Sequence, residues 1–358
     1  MMIDGMKNTS SVIRFCTAAL CCALVLSYGS YKSLFKTQSG INVAAQQQTI
    51  EYSSNTSSDE RPAETESAPE SKDTSSTASA ESESTNVSVA ASADKTVQGA
   101  VIDKFISPYT ANTSYNNIYL KNNTDLDINL KELVKSKLGY KIEKGGEPQV
   151  LIVHTHATES YLKENRDYYT SDDLTRTTDN DYNMVALGKI VADKLNSAGI
   201  NTIHSTTAHD YPSYNESYKR AAETICNYVK KYPSIKVVID LHRDAIAAND
   251  TDKVKVTTEI DGKKAAQIML VMGSQSGNVT NFPNWKENLK LAVRIQQTVE
   301  VMYPTLARSI HFMSKNYNES LTTGSVLIEI GTDGNTIDEA KYSAELLANA
   351  LISLFNTL

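Results

Sequence analysis

The chain has 358 residues, of which 35 are basic and 42 acidic, and its formal net charge is −7. This balance argues against a nucleic-acid-binding protein, and the length allows one large domain with further segments. Three of the four cysteines fall in one apolar segment near the N-terminus, which leaves Cys226 alone in the region expected to fold. An internal disulfide is therefore excluded there, and stability must come from an ordinary hydrophobic core.

Residues 15–31 predict a membrane segment. They carry no charge and follow Lys7 and Arg14, a pattern typical of a secretory signal or of a signal-anchor helix whose N-terminus stays inside. Because no clear small-x-small cleavage site follows, we favour a retained transmembrane anchor, with residues 1–14 in the cytoplasm. The chain is then expected to be a single-pass protein of the cell membrane whose folded part lies outside the cytoplasm.

Residues 32–96 predict a disordered linker. The segment is rich in Ser, Thr and Glu, and between Glu51 and Lys95 it has ten acidic and three basic residues, a local net charge of −7. Such a composition cannot bury enough apolar surface to offset the entropy of the chain. We expect a flexible tether from which a folded domain searches the space just outside the membrane.

Residues 97–149 predict a lead-in subdomain, and residues 150–358 predict an α/β domain. In the second part, continuously apolar strands alternate with amphipathic helices. The predicted strands are 150–153, 200–205, 236–242, 267–274 and 325–331, and the predicted helices are 183–199, 217–232, 284–303 and a last one from residue 338. This alternation indicates a mostly parallel central sheet with helices on both faces.

Polar side chains stand at the ends of three predicted strands. His154 and His156 follow the first, His242 and Arg243 end another, and Glu329 interrupts the apolar run VLIEIG. In open α/β sheets, ligands bind outside the carboxyl ends of the strands. A carboxylate among apolar residues is costly unless it is paired or lies near a metal, so Glu329 is either a site residue or half of a buried ion pair, for example with Arg243.

The spacing of His156 and Glu159 predicts a metal site. A turn that leaves a strand can direct both side chains to one ion, and His242 then supplies a third ligand. Two histidines and one carboxylate form a zinc set that keeps a fourth position open for water, as catalytic sites require. Glu329 is then placed to accept the proton of that water and to pass it to a leaving amine.

His154 needs a separate assignment, because residues two apart on a strand point to the same face. A fourth protein ligand would close the site, so we take His156 as the ligand and His154 as a supporting or substrate-facing residue. Asp179 and Asp181, just before a predicted helix, are either N-cap residues or alternative acidic ligands, and the first role is preferred. The other histidines are expected to be ordinary surface or loop residues: His204, His209 and His311.

Four motifs carry a resemblance to a known family. They are HTHATESY (154–161), HDYPSYNESYKRA (209–221), DLHRDA (240–245) and LIEIGTDGNT (327–336). Together with the predicted anchor and acidic linker, this combination resembles stage II sporulation protein P over about residue 97 to the C-terminus. Members of that family are cell-wall hydrolases related to zinc-dependent N-acetylmuramoyl-L-alanine amidases.

The resemblance implies a zinc amidase-like fold and a role in sporulation. Family members act with stage II sporulation proteins D and M to degrade septal peptidoglycan during engulfment, and endopeptidase activity is also ascribed to them. The histidines of HTH and His242 would line the zinc site, and Glu329 would be the catalytic carboxylate. Typical zinc amidases take their acidic ligand near the next helix, here Asp179 or Asp181, whereas Glu159 fits the HxxE pattern of zinc carboxypeptidases. We retain Glu159.

The sequence thus predicts a membrane-tethered zinc amidase that acts on peptidoglycan. Arg243 is expected to bind a carboxylate of the substrate or the oxyanion that forms during hydrolysis. One alternative is a zinc carboxypeptidase-like hydrolase that trims free peptides, and another is a wall-binding module of a membrane complex without catalytic activity.

Overall fold

The computed structural model of this chain describes residues 96–358, and all of them belong to one compact unit. The predicted anchor at 15–31 and all but the last residue of the predicted linker at 32–96 lie outside the described residues. Among the helices of residues 96–358, none is long and apolar enough to cross a membrane.

Residues 96–358 form twelve strands and five α-helices, with short 3₁₀ turns at Pro108–Thr110 and Glu319–Leu321. The strands are β1 (Val97–Lys104), β2 (Thr113–Tyr115), β3 (Ile118–Asn122), β4 (Val150–Val153), β5 (Tyr168–Thr170), β6 (Thr202–His204), β7 (Val237–Asp244), β8 (Lys253–Ile260), β9 (Lys263–Ala266), β10 (Ile268–Gly273), β11 (Ile310–Met313) and β12 (Ser325–Thr332). The helices are α1 (Leu130–Lys135), α2 (Met184–Ser197), α3 (Ser217–Lys231), α4 (Trp285–Met302) and α5 (Ile337–Phe355).

The larger sheet has eight strands in the order β2-β3-β11-β10-β12-β7-β4-β6. Five neighbouring pairs are parallel, and two pairs, β10 with β12 and β2 with β3, are antiparallel. The α/β class is therefore confirmed, with a mixed sheet that is mostly parallel. Its central strands β4, β7 and β12 are buried along almost their whole length because both faces are covered.

Helices pack on both faces of this sheet, as the alternation of side chains along the strands requires. Ile152 and Ile239 point into the main core, which they share with residues of α2, α4 and α5. The neighbouring Leu151 and Val238 point to the opposite face, where they pack with Ile225 of α3. Each central strand is thus buried on two sides.

A second sheet has the order β5-β1-β8-β9 and was not predicted. Strands β8 and β9 form a hairpin whose turn residues Asp261 and Gly262 both have positive φ, as tight hairpin turns require. Residues 97–149, predicted as a lead-in subdomain, supply β1 to this sheet and β2 and β3 to the larger one. They therefore share both sheets with residues 150–358 within the same compact unit.

The order of the strands brings distant motifs together. Strand β7 lies between β4 and β12, with Val153 opposite Asp240 and Glu329 opposite His242. Neighbouring parallel strands run in the same direction, so their carboxyl ends lie side by side. The residues that follow β4 therefore meet the ends of β7 and β12, where the polar motifs stand.

Candidate active site

Three buried side chains meet at the carboxyl ends of β4 and β7, with His156 and Glu159 after β4 and His242 near the end of β7. Nδ1 of His156 lies 3.3 Å from Glu159 Oε1, and Nδ1 of His242 lies 3.6 Å from Glu159 Oε2. One ligand atom from each residue falls within 4.8 Å of the others. Because tetrahedral ligands of zinc at ~2.0–2.1 Å from the ion lie about 3.4 Å apart, the donor set and its spacing fit one Zn²⁺ ion.

The far nitrogen of each histidine is held by another side chain. Nε2 of His156 lies 3.1 Å from Ser217 Oγ at the start of α3. Nε2 of His242 lies 3.0 Å from Asp240 Oδ1, although the two are not aligned as a hydrogen bond. Asp240 is itself fixed by the backbone N–H and the hydroxyl of Thr155, at 2.8 and 2.6 Å. Such outer contacts orient each ring so that its near nitrogen faces the ion.

The electrostatics of the three residues favour a positive charge between them. Burial alone would raise the pKa of Glu159, but hydrogen bonds from His156 and His242 and the charge of Arg243 hold that pKa well below its usual range. Burial likewise opposes a charged His242, yet Asp240 and Glu159 raise the pKa of this imidazole well above its ordinary value. A cation at this point is therefore attracted by carboxylates that stay ionised.

Glu329 stands next to the cluster, opposite His242 on the neighbouring strand. Burial raises the pKa of Glu329 to about 8, with His242 and Arg308 opposing the shift and Asp244 and Glu159 adding to it. Its Oε2 is buried and has no hydrogen-bond partner among residues 96–358. A carboxyl group that exchanges its proton near neutral pH suits general acid–base catalysis.

His154 lies outside the cluster, in a fully buried position. Its Nδ1 donates to the carbonyl of Leu241 at 3.1 Å, and its Nε2 lies 2.8 Å from Nε2 of His204. Burial first, and then the charge of His204, lowers the pKa of His154 to about 3, so the ring stays neutral. A Cβ atom at Gly188 of α2 would lie 2.5 Å from this ring, which shows how closely it is packed. A substrate cannot reach His154, so the predicted substrate-facing and catalytic roles are corrected to a supporting one.

Arg243 is also placed differently from the prediction. Its side chain points to the other face of β7 from His242, as neighbouring residues of a strand do. It is buried, and its guanidinium donates to the carbonyls of Ser160 at 3.2 Å and Thr175 at 2.6 Å. The backbone N–H of Arg243 donates to Glu159 Oε2 at 3.2 Å. Arg243 therefore joins two loops and orients Glu159, rather than binding substrate or pairing with Glu329.

Asp179 and Asp181 are exposed and do not join the cluster. The N-cap of α2 is Asn183, whose side chain accepts a hydrogen bond from the N–H of Val185 at 2.9 Å. Asp179 instead accepts from the N–H of Asp181 at 3.1 Å, within the preceding turn. Neither residue is the N-cap, and the structure brings Glu159 rather than either aspartate to the two histidines.

Two of the histidines expected at the surface are structural. His209 is buried, with Nδ1 donating to the carbonyl of His154 at 2.7 Å and Nε2 lying 2.9 Å from Thr224 Oγ1. His204 pairs with His154 as described above, and burial lowers its pKa to about 4. Together they support the turn that carries His156. The third, His311, is half-buried on β11 and lies outside the cluster.

Sequence reasoning missed two side chains at the mouth of the site. The ring of Tyr214 stacks on His156, with centroids 4.8 Å apart and an interplanar angle of 27°. The guanidinium of Arg176 lies 4.7 Å from the centre of that ring and 3.5 Å from Glu159 Oε1. Tyr214 belongs to the motif HDYPSYNESYKRA, so the motif marked the region, but Arg176 stands in a polar loop without a distinctive pattern.

Comparison with known proteins gives a family match across most of the chain. The model of the family described as stage II sporulation protein P matches residues 29–352. The stage II sporulation protein P of Bacillus subtilis (strain 168) is 27% identical over 222 residues, which cover 59% of this chain and 52% of the relative. The chain therefore spans about half the length of the curated relative it matches.

Solved structures of amidases show a weaker similarity. The N-acetylmuramoyl-L-alanine amidase AmiC2 of Nostoc punctiforme is 13% identical with a TM-score of 0.37, covering 60% of this chain and 97% of that one. An N-acetylmuramoyl-L-alanine amidase of Clostridium difficile 630 is 16% identical with a TM-score of 0.36, covering 59% of this chain and 97% of that one. Neither reaches a TM-score of 0.5, so the family assignment depends on the sequence match.

Proposed function

This chain belongs to the stage II sporulation protein P family, and we propose that it is a zinc-dependent peptidoglycan hydrolase that cleaves the N-acetylmuramoyl-L-alanine amide. The observation that carries the proposal is the meeting of buried His156, Glu159 and His242 beside Glu329, a carboxyl group with a raised pKa. This combination pairs a three-ligand metal set with a proton carrier, as hydrolytic zinc sites require.

The proposed chemistry divides between the ion and the side chains. Zn²⁺ held by His156, Glu159 and His242 would lower the pKa of water and polarise the amide carbonyl. Glu329 would take a proton from the attacking water and deliver it to the nitrogen of L-alanine. The C–N bond then breaks, the muramic acid keeps a carboxylate, and the peptide leaves with a free amine.

Other buried groups would keep this arrangement rigid. Asp240 and Ser217 hold the far nitrogens of the two histidines, and the backbone N–H of Arg243 holds one oxygen of Glu159. Preorganised groups of this kind contribute to catalysis because they need not rearrange during the reaction. Asp240, Ser217 and Arg243 are therefore proposed as positioning residues.

The proposed setting is the septal cell wall during engulfment in sporulation. The anchor at 15–31 would hold the enzyme in the membrane, and the linker at 32–96 would let the domain reach peptidoglycan outside the cytoplasm. Stage II sporulation proteins D and M are the proposed partners. Cleavage of peptide cross-links would be a second activity of the same enzyme.

A second candidate is a zinc carboxypeptidase-like peptide hydrolase. The HxxE spacing of His156 and Glu159 favours it, since both residues contact each other in the cluster. Digestion of purified sacculi followed by mass spectrometry separates the two functions. An amidase frees intact stem peptides with a new L-alanine amine, whereas a carboxypeptidase only shortens their C-terminal ends.

The variant Glu329→Gln tests the proposed mechanism. It should retain zinc but release stem peptides from sacculi at least about a hundredfold more slowly, because the proton carrier is lost. Glu300→Gln is a matched control, since it removes another buried carboxylate, on α4, outside the cluster. Zinc content and peptide release are measured on the same preparations. Release by Glu329→Gln at the rate of the control would reject the mechanism.

A further inference from the structure

We propose that Arg176 receives a carboxylate of the peptide next to the scissile amide, so that the enzyme selects acidic stem peptides over amidated ones. This inference rests on the proposed function, because it names the part of the substrate that the same site would bind. The feature that carries it is a partly exposed guanidinium whose hydrogen bonds come from one nitrogen, beside the candidate metal ligands.

Arg176 is fixed on one side by buried groups. Its Nη1 lies 2.6 Å from Oδ2 of Asp210, whose side chain is fully buried. The same carboxylate accepts from the hydroxyl of Thr158 at 2.6 Å, so Asp210 is itself held in place. The backbone of Arg176 also pairs with that of Glu159 in an antiparallel bridge. The position of the guanidinium is therefore set by the same turn that carries a candidate metal ligand.

The other side of this guanidinium makes only one long ion-pair contact and no hydrogen bond among residues 96–358. Nη2 lies 3.5 Å from Glu159 Oε1, which is longer than a charge-assisted hydrogen bond. Within residues 96–358, the hydrogen bonds of the Arg176 side chain come from Nη1 alone. The side chain is 37% exposed. Its Nε and Nη2 are thus available to an incoming anion at the edge of the cluster.

Two other arginines near the site cannot take this role. Arg243 is 7% exposed and its guanidinium is occupied by the carbonyls of Ser160 and Thr175. The side chain of Arg308 is also 7% exposed and pairs with Asp244 at 2.8 Å. Of the three cations, Arg176 is the one that a substrate can reach.

Tyr214 connects Arg176 to the cluster. Its ring stacks on His156 and lies under the guanidinium of Arg176, and the residue is 47% exposed. Through these two contacts, His156, Tyr214 and Arg176 form a continuous wall from a candidate metal ligand to the partly exposed guanidinium. A peptide whose carboxylate binds Arg176 would therefore lie along this wall, with its neighbouring amide close to the metal site.

The chemistry of the proposed substrate matches this arrangement. Stem peptides carry a carboxyl group one residue beyond the scissile amide, either as the free acid or as the amide. A planar guanidinium binds a carboxylate through two parallel N–H···O hydrogen bonds, whereas a neutral amide offers one acceptor and no charge. Arg176 would therefore discriminate between the two forms of the wall.

Calorimetric titration of the full chain, loaded with zinc, tests this inference without requiring turnover. The probes are two synthetic stem peptides that differ only in a free or amidated carboxyl group at that position. The wild-type protein should bind the acid about tenfold more tightly, which corresponds to about 1.4 kcal/mol. Arg176→Gln should bind both peptides with the weaker affinity. Arg176→Lys keeps the charge and the contact with Asp210 but loses the planar fork, so its preference should be intermediate.

Arg166→Gln is the matched control, since Arg166 stands in the same segment between β4 and α2 but pairs with Asp173 at 2.8 Å. It should keep the preference of the wild type, and zinc content should be unchanged in all variants. Because Arg176→Gln leaves the buried carboxylate of Asp210 without its cation, thermal unfolding is measured to show that each variant is folded at the temperature of the titration. Equal binding of the two peptides by the wild type, or a preference that survives in Arg176→Gln, would overturn the inference. An equal loss of affinity for both peptides in Arg176→Gln and Arg176→Lys would also overturn it, because that result indicates that Arg176 shapes the site rather than binding the carboxylate.

The digestion of sacculi distinguishes a failure of this inference from a failure of the proposed function. Normal release of stem peptides without an acid preference would reject the role of Arg176 and leave the amidase intact. An Arg176-dependent preference without release would reject the catalytic function and leave the peptide-binding role.

Discussion

Two regions that contain buried charges differ in how completely their polar atoms are hydrogen-bonded. Beside the second sheet, Nζ of Lys255 on β8 lies 3.0 Å from Glu339 Oε1 and 2.8 Å from Asn165 Oδ1. The other oxygen of Glu339 accepts from the side chain of Asn335 at 2.9 Å and from the N–H of Thr336 at 3.0 Å. This network is complete within the protein and also caps α5.

In the candidate active site, by contrast, the buried polar atoms are not all hydrogen-bonded within residues 96–358. Oε2 of Glu329 is buried and has no hydrogen-bond partner among residues 96–358. Buried polar groups are normally paired, so an unpaired carboxylate oxygen beside the candidate metal ligands needs an explanation. The contrast indicates that the Lys255 network serves stability, whereas the groups around His242 keep capacity for a ligand and a proton.

The largest expected effect follows from breaking the complete network. Lys255→Met should lower the free energy of unfolding by about 3–5 kcal/mol, because it leaves the carboxylate of Glu339 buried without its cation. Urea unfolding followed by circular dichroism measures the loss. Zinc content per folded molecule should not change, since the network lies outside the metal cluster.

Lys264→Met is the control for that experiment. Lys264 also forms an ion pair, with Asp103, but its side chain is 53% exposed. Exposed pairs contribute about 1 kcal/mol or less, so this variant should remain close to the wild type. Equal losses in Lys255→Met and Lys264→Met would contradict the distinction between a buried network and a surface pair.

A smaller effect on the free energy of unfolding is expected from Glu300. Burial raises its pKa, as it does for Glu329, but Glu300 lies outside the metal cluster. Its Oε1 is buried and has no hydrogen-bond partner among the described residues. Burial raises the pKa of Glu300 to about 7, against hydrogen bonds from the backbone at Thr305 and Ala307. The folded state therefore binds a proton more tightly than the unfolded state, and the stability from this group is lost as the pH rises through about 7.

Unfolding of the wild type and of Glu300→Gln at pH 5 and pH 8 measures this contribution. From pH 5 to pH 8, the free energy of unfolding of the variant should rise by about 1 kcal/mol relative to that of the wild type. This figure is reduced for partial screening by solvent. Comparison of the two proteins cancels the titration of all other groups. A constant difference across this range would show that the carboxyl group is not held in its neutral form.

Local patterns were sufficient to predict the central strands and the side chains at their ends. Continuous apolar runs marked β4, β7 and β12, and the rule that ligands lie beyond strand ends linked His156, His242 and Glu329. Strand β8 has no continuous apolar run, since its lysines alternate with valines, and Lys253 and Lys255 are buried there in ion pairs with distant Asp333 and Glu339. Those pairings cannot be read from neighbouring residues.

The misassigned residues share one physical cause, since their directions depend on distant partners. His154 turns toward His204 and Gly188, which lie on other elements. Arg243 is directed to loop carbonyls by the alternation of β7, while Arg176 comes to the site through a bridge with Glu159. Motif spacing identifies which residues can meet, but long-range packing decides which of them face the ligand.

The most direct test of the central claim is the zinc content of the purified full chain and of two matched histidine variants. We predict about one zinc ion per chain in the wild type and in His154→Gln, because His154 lies outside the cluster. His156→Ala should contain little or no zinc, because it removes one of three ligands. Retention of zinc by His156→Ala, or its loss from a folded His154→Gln, would contradict the assignment of the metal site.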